Sequence, residues 1–230
     1  MALTGETPLT DLPGVGPARG KKLEKLGLRK LGDLLYHLPQ RYEDRRECFN
    51  LRDAPEDRPC CVHAMVASAP TVSRVRKGLE LVKVKAVDSF GVLHLTFFNQ
   101  TYIRTALRPG ETYVFYGTAE RQGRARSMTN PVFEKEGAGR VTGLIMPVYP
   151  LTAGITNNLL AGLARRAVED CLEGLPEFLP ERVRLDHALC QVQYARKNIH
   201  FPPNWEELAI ARRRLVFERS CSPSPAACPC

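Results

Sequence analysis

Hydrophobic positions in this chain recur at two spacings, and the change from one to the other divides it into segments. In residues 1–50 apolar and small positions fall at helical intervals: Ala18, Leu23 and Leu26 on one stretch, Leu31 to Leu38 on the next, with Gly27 placed as a helix C-terminal glycine and Pro39 as a stop. From residues 59 to 135 the period falls to two. Val62, Ala64 and Val66 alternate, Leu81 to Val87 alternates with its lysines outward, and Val92 to Phe98 follows the turn Asp88-Ser89-Phe90-Gly91. A short helix, Tyr102 to Leu107, is closed by Pro109-Gly110, and strands follow at Tyr113 to Ala119 and near Arg126 to Phe133. Strand, strand, strand, helix, strand, strand is the order of an OB-fold, a small five-stranded β-barrel. The predicted fold class is α+β, the barrel flanked by an N-terminal helical hairpin segment and a C-terminal helical linker.

Helical spacing returns in residues 144–218. Asn157 to Leu172 is amphipathic, and Leu175-Pro176 and Leu179-Pro180 punctuate a linker. Asn204 is placed to cap a helix from Glu206 to Glu218, whose Arg212, Arg213 and Arg214 would complement the dipole near its end. After Glu218 the periodic leucines give way to Ser, Pro, Ala and Cys, so residues 219–230 are expected to form a disordered tail.

Charge adds a partner class to this outline. The 230 residues carry a formal +8, and residues 59–135, with eleven basic against five acidic side chains, hold six of those charges. That distribution favours a polyanion such as nucleic acid. No run of 18 apolar residues and no basic-then-apolar leader occurs, so no membrane partner is expected and the expected location is cytoplasmic. Eight cysteines include no C-x-x-C pair and the five histidines are dispersed, so the spacing of a zinc site is missing and no metal is expected.

Leu12-Pro13-Gly14-Val15-Gly16-Pro17 has the form of a helix-hairpin-helix turn. Gly14 and Gly16, lacking Cβ atoms, would let backbone N–H groups approach a phosphate, with Lys21 on the helix that follows. Equally, the segment is a tight interhelical turn packed through Leu12 and Val15. Gly20-Lys21 approaches a Walker A loop, but Val15 stands at the leading glycine and Lys22 at the Ser/Thr position, which excludes a nucleotide site in this segment. With no G-x-S-x-G and no H-E-x-x-H, no catalytic residue is expected.

The barrel offers a better site. Phe97 and Phe98 point to opposite faces of a strand, so one can fill the core while the other faces outward, and Tyr102 is placed to join Phe98 at the strand-to-helix corner. Arg74, Arg76 and Lys77 in the first long loop, Arg104 on the short helix, and Arg121, Arg124 and Arg126 in the last hairpin are expected to surround it. Basic grooves with stacking faces are the equipment of single-strand binders. The plainer reading makes the aromatics barrel plugs and the arginines solvated loop residues.

Seven segments occur in a telling order: Leu12-Pro13-Gly14-Val15-Gly16-Pro17, Asp33-Leu34-Leu35-Tyr36-His37-Leu38-Pro39, Arg41-Tyr42-Glu43-Asp44-Arg45, Phe97-Phe98-Asn99, Tyr149-Pro150-Leu151-Thr152, Ile199-His200-Phe201-Pro202 and Ala211-Arg212-Arg213-Arg214-Leu215-Val216-Phe217-Glu218. Together they resemble the N-terminal part of the RecG family of bacterial ATP-dependent DNA helicases, over residues 8–218. The resemblance implies a wedge domain at the branch point of forked or four-way DNA, with Phe98 and Tyr102 as the aromatics that stack on unpaired bases, in repair and recombination. It also implies motor domains that use ATP and Mg²⁺, whose motifs do not follow Glu218. The expectation is a truncated or frameshifted chain, without a cofactor of its own and unable to unwind DNA alone. Branched DNA is the expected partner, bound by a monomer with no small-molecule substrate; the competing class is a non-catalytic OB-fold module for protein interaction.

Overall fold

A computed structural model of the chain describes residues 3–76, 78–139 and 142–221. In chain order its elements are a 3₁₀ turn at Leu9–Asp11, α1 (Pro17–Glu24), a 3₁₀ helix at Leu31–Leu35, and strands β1 (Arg41–Asp44), β2 (Cys48–Phe49), β3 (Cys60–Val66), β4 (Thr71–Arg76), β5 (Leu79–Asp88) and β6 (Gly91–Phe98). After α2 (Ile103–Ala106) come β7 (Thr112–Gly117), β8 (Glu120–Gln122), β9 (Ala125–Thr129), β10 (Val132–Lys135) and β11 (Ile145–Val148). Helices α3 (Asn157–Cys171), α4 (Glu181–Asp186), α5 (Val192–His200) and α6 (Trp205–Cys221) complete it. Two compact units result: Asp44–Met146 is one, and Met1–Glu43 with Pro147–Cys230 is the other.

Alternation builds the first unit. Val82, Val84 and Ala86 of β5, Leu93, Leu95 and Phe97 of β6, and Cys60, Val62, Ala64 and Val66 of β3 are all buried in one core. Ile103 and Leu107, at either end of α2, pack into the same cluster. The sheet runs β10-β7-β3-β5-β6-β9-β8, with β6 and β9 parallel and its other neighbours antiparallel. Only Asn130 and Pro131 separate β9, which pairs with β6, from β10, which pairs with β7, so the sheet returns on itself through one chain segment. A meander of three strands, a short helix and two further strands, the last parallel to the third, is OB-fold architecture.

Residues 71–76, expected as loop, are instead strand β4, antiparallel to β5 with an irregularity between Arg74 and Arg76. All six are exposed, so no apolar-polar alternation marks the strand, although β-branched Thr71, Val72 and Val75 suit extended backbone.

Helical segments from both ends of the chain make the second unit together rather than standing as separate pieces. Gly27 takes φ +76° and closes α1: its N–H reaches Glu24 O at 2.9 Å, and the Leu28 N–H reaches Leu23 O at 3.1 Å, the paired bonds of a Schellman end. The spacing of Leu31 to Leu38 produces a 3₁₀ helix rather than an α-helix, pinned where Asp33 Oδ2 accepts the N–H groups of Arg29 and Lys30, each at 2.8 Å. The proline-punctuated stretch 175–180 is irregular as expected, and α4 and α5 follow it. Asn204 caps α6 as expected, accepting the Glu207 N–H at 2.8 Å, and the helix continues to Cys221. The rest of the expected tail, 222–230, lies outside the described residues.

Arg214 does not serve the helix dipole. It is wholly buried, donating to Glu218 Oε1 at 2.7 Å, Glu177 Oε1 at 2.6 Å and Cys190 O at 3.1 Å. Arg196 joins the network through Glu218 Oε2 at 3.1 Å. Burial works against an ionised Glu177, but the bonds from Arg214 and from the N–H groups of Leu179 and Val192 outweigh it and hold the carboxyl below its usual range. Nearby, His200 Nε2 lies 3.2 Å from Leu35 O, which can only accept, so that nitrogen carries the proton. His200 Nδ1 then accepts from the Tyr149 hydroxyl at 2.9 Å.

Burial lowers the pKa of His200 from 6.5 to about 4. The folded state therefore binds fewer protons than the unfolded chain between those values, and stability present above pH 6.5 is lost as pH falls toward 4. That loss is expected to be on the order of 3 kcal/mol, read from urea unfolding at stepped pH. His200→Asn should flatten this part of the profile; an unchanged slope would assign the loss to other groups.

Candidate nucleic-acid interface

Strand parity decides which aromatic is available. Phe97 is fully buried and meets Phe133 edge-on, with ring centroids 5.9 Å apart. Phe98 consequently faces outward, 39% exposed, and Tyr102 is 59% exposed at the start of α2. Polar side chains hold the corner between them. Asn130 Oδ1 accepts the Phe98 N–H at 2.9 Å and Gln100 Nε2 at 3.1 Å, and the Tyr102 hydroxyl donates to Gln100 Oε1 at 3.0 Å. Asn99, at φ 54°, donates its N–H to Glu80 O at 2.8 Å and accepts the Glu80 N–H on Oδ1 at 2.9 Å. Sequence reasoning named the two aromatics but not these amides.

The cations do not form one ring around that corner. Arg74 does flank it: it is held by Glu80 at 2.8 Å and lines a shallow cleft with Gly78, Glu80, Asn99 and Thr101. Arg76, on β4, and Arg104, on α2, are exposed; Lys77 lies outside the described residues. Arg121 and Arg124 sit elsewhere, contrary to expectation. Arg121 pairs across β8–β9 with Arg126, and Arg126 stands opposite Leu93, five residues before Phe98 along β6 and so about 17 Å away. There, Arg121 and Arg124 share a second cleft with Arg52 and Phe90, the Arg52 guanidinium stacking 4.4 Å from the Phe90 ring. Neither Arg52 nor Phe90 stood out in the sequence, Phe90 because it lies in a turn.

Arg126 is not a surface cation at all. It shares inward parity with Met128 and is 6% exposed. Its guanidinium donates to Leu51 O at 3.1 Å, Ala119 O at 3.0 Å and Arg52 O at 3.3 Å, and pairs with Glu56 at 3.1 Å. This replaces the expected phosphate contact with a structural role, tying three loop carbonyls to the barrel.

In the helical unit, Gly14 takes φ +85° while Val15 and Leu12 are buried beneath the turn. Gly16 caps α1 at φ −77°, a conformation open to any residue, and a Cβ there would meet nothing within 4 Å. Left-handed backbone explains Gly14, and neither packing nor backbone conformation explains Gly16. Lys21 is exposed on α1, one turn further along. Among the described residues no cluster of His, Cys, Asp and Glu is arranged to hold a metal ion.

A sheet that turns back on itself through the β9–β10 segment, with a short helix between its third and fourth main strands, places this chain in the OB-fold class. More particularly, it belongs to the RecG wedge domain family, which matches residues 11–171. Similar proteins named ATP-dependent DNA helicase RecG occur in Thermotoga maritima, 34% identical over 89% of this chain, and in Escherichia coli K12, 29% identical over 94%. The chain spans 26% and 32% of their respective lengths. A solved structure of RecG bound to a three-way DNA junction superposes on 93% of this chain and 30% of that one, with a TM-score of 0.79 and 29% identity.

Arg126→Ala would strand three carbonyls and is expected to lower unfolding stability by about 2 to 4 kcal/mol. Arg121→Ala, at an exposed ion pair, should change it by less than about 0.5 kcal/mol. Denaturant melts of both variants check this, and equal small effects would return Arg126 to the surface. In the hairpin, Gly14→Ala should cost about 1 to 2 kcal/mol for its left-handed backbone. Gly16→Ala should melt like the wild type; an equal loss at both positions would make the whole turn a packing device.

Proposed function

We propose that this chain is the branched-DNA-binding wedge of a RecG-type protein in DNA repair and recombination, engaging forks and four-way junctions as a cytoplasmic monomer. The observation that carries this reading is the corner at which burial of Phe97 forces Phe98 outward beside exposed Tyr102. The junction-bound structural neighbour supports branched DNA as its target. Where a duplex divides, the last base pair on each arm loses a stacking neighbour. Phe98 and Tyr102 each supply a replacement face, trading base–base for base–aromatic stacking. Because Asn130 and Gln100 fix the corner beforehand, little ordering entropy is spent when DNA arrives.

Around the stack, Arg74, Arg76 and Arg104 contact phosphates on the near side, and Arg121 and Arg124 on the far side. In the helical unit, the Gly14–Gly16 hairpin and Lys21 approach a further stretch of backbone. These contacts position the DNA without reading its sequence. No G-x-x-x-x-G-K-[ST] motif occurs within these 230 residues, so no ATP or Mg²⁺ step, no catalytic residue and no small-molecule substrate is assigned to them.

Binding to a synthetic fork and to linear duplex of equal length, at 50 and 200 mM salt, tests the proposal. The fork should bind more tightly and both should weaken with salt. Phe98→Ala and Tyr102→Ala should each lose about 1 to 3 kcal/mol of fork affinity while melting like the wild type. Equal affinity for fork and linear duplex would overturn the reading.

A further inference from the structure

Where β2 meets β3, three cysteines come together that the wedge reading does not use. Strand β3 is paired with β7 along Cys60 to Met65 on one side, but on the other side β5 reaches only Met65 and Val66. The two-residue strand β2 fills part of that gap in parallel, with Cys48 beside Cys61 and Phe49 beside Val62. Parity then separates the thiols. Cys60 and Val62 point into the core, where Phe49 also packs, so Cys48 and Cys61 lie together on the opposite face. Tyr116 of β7 flanks Cys61 on its other side, and Arg45 spans the row: its carbonyl accepts the Cys61 thiol at 3.5 Å and its guanidinium lies 4.1 Å from the Tyr116 ring. The Cys48 and Cys61 sulfurs are within hydrogen-bonding reach of each other, and both thiols are free. Neighbouring strands run about 4.8 Å apart, inside the Cα separation of about 4.4 to 6.8 Å that a disulfide spans.

We propose that Cys48 and Cys61 are a covalent modification site, at which a hydroperoxide closes a disulfide that staples β2 to β3. The site is independent of the wedge reading. Cys48 supplies the nucleophile, being half-buried where Cys61 is 1% exposed. Burial raises both thiols, Cys61 to about 12, while the contact with Cys61 draws Cys48 back down. The Cys48 thiolate attacks the peroxide, breaking its O–O bond, releasing the alcohol and leaving a sulfenic acid on Cys48. The Cys61 sulfur then attacks the Cys48 sulfur: the S–S bond forms, the S–O bond breaks, and water leaves with the Cys61 proton. Two thiols lose two electrons in all, and the hydroperoxide takes them up to become alcohol and water. Because both thiols are raised, closure is slow at neutral pH and answers sustained rather than brief oxidation. It encloses residues 49–60, a loop that carries Arg52, stacked on Phe90, and Glu56, paired with Arg121 and Arg126 at 3.0 and 3.1 Å. The staple thus fixes the base of the loop that sets the charge around Arg121.

The experiment treats the full chain with hydrogen peroxide and maps its peptides under non-reducing conditions. A linked pair containing Cys48 and Cys61, two hydrogens lighter than the separate peptides, should form at a rate that rises about tenfold per pH unit below the thiol pKa. Dithiothreitol should remove the link. Cys60→Ser should leave it in place, and Cys48→Ser should abolish it without passing it to Cys60. Oxidation should raise the melting temperature of the wild type by about 5 to 10 °C, reversibly, and leave that of Cys48→Ser unchanged. Three outcomes would overturn the site: Cys48 and Cys61 recovered as separate sulfinic acids, either one linked to Cys171 or Cys190 as often as to the other, or a rate that ignores pH. A correctly linked chain that melts with the reduced one would overturn the stapling of β2.

Discussion

Phe97, fully buried in the barrel core, packs edge-on against half-buried Phe133, and because side chains alternate along a strand the burial of Phe97 governs every second residue of β6. Shifting β6 by one position would bring His94, Thr96 and Phe98 inward and expose Leu93, Leu95 and Phe97. Two unsatisfied polar groups would then be buried and three large apolar groups lost, several kcal/mol in each direction. The register is thus not adjustable, and neither is the face it presents. The exit from the strand is held equally firmly, with Asn99 bridging back to Glu80 and Asn130 bonded to the Phe98 N–H. Both asparagines take positive φ, a conformation that asparagine tolerates better than most residues. A stacking surface built this way is an outcome of core packing rather than a feature added to it.

How much of this was legible follows from burial. Strands β5 and β6 have one buried and one open face, so their alternation is written in the residues, and the opposite fates of Phe97 and Phe98 could be anticipated. Strand β4 has no buried face and left no such trace. Arg126 is the instructive failure: proximity in sequence to Arg121 and Arg124 grouped it with surface cations, whereas its parity with buried Met128 marks it as inward. The separation of Arg121 and Arg124 from the Phe98 corner depended on the pairing of β9 with β6, a parallel contact between residues more than thirty apart that local spacing cannot reveal.

In the helical unit, the segments that carry the family likeness supply buried polar partners to one another. The Tyr42 hydroxyl donates to Ile199 O and Tyr149 bonds His200, while within the last segment Arg214 bonds Glu218. Such contacts are a poor source of net stability, because desolvating the charges consumes most of what the pairing returns. They penalise misalignment heavily, however, since a buried arginine or carboxylate without its partner costs several kcal/mol. For a unit assembled from the two ends of a chain, with a barrel inserted between them, that penalty selects one docking of the helices where apolar contacts alone would accept several.

The same distinction between committed and free charge reorganises the positive excess of the barrel. Arg74, Arg121, Arg126 and Lys135 are each matched to a carboxylate within 3.1 Å. Among the described residues of 59–135, Arg76, Lys83, Lys85, Arg104, Arg108 and Arg124 have no ion pair. Net charge alone treats these ten side chains as equivalent. At physiological salt, however, screening limits an exposed charge to about 8 Å, so each of these groups acts on a ligand only at close range, and the unpaired ones act undiminished by a neighbouring carboxylate. Three of them lie along β4 and β5, beside the outward side chains of β6, and two more are on or just beyond α2. Cationic character and the aromatic corner are therefore coupled by strand pairing: the stretch of sheet that turns Phe98 outward also turns Lys83 and Lys85 to the same face.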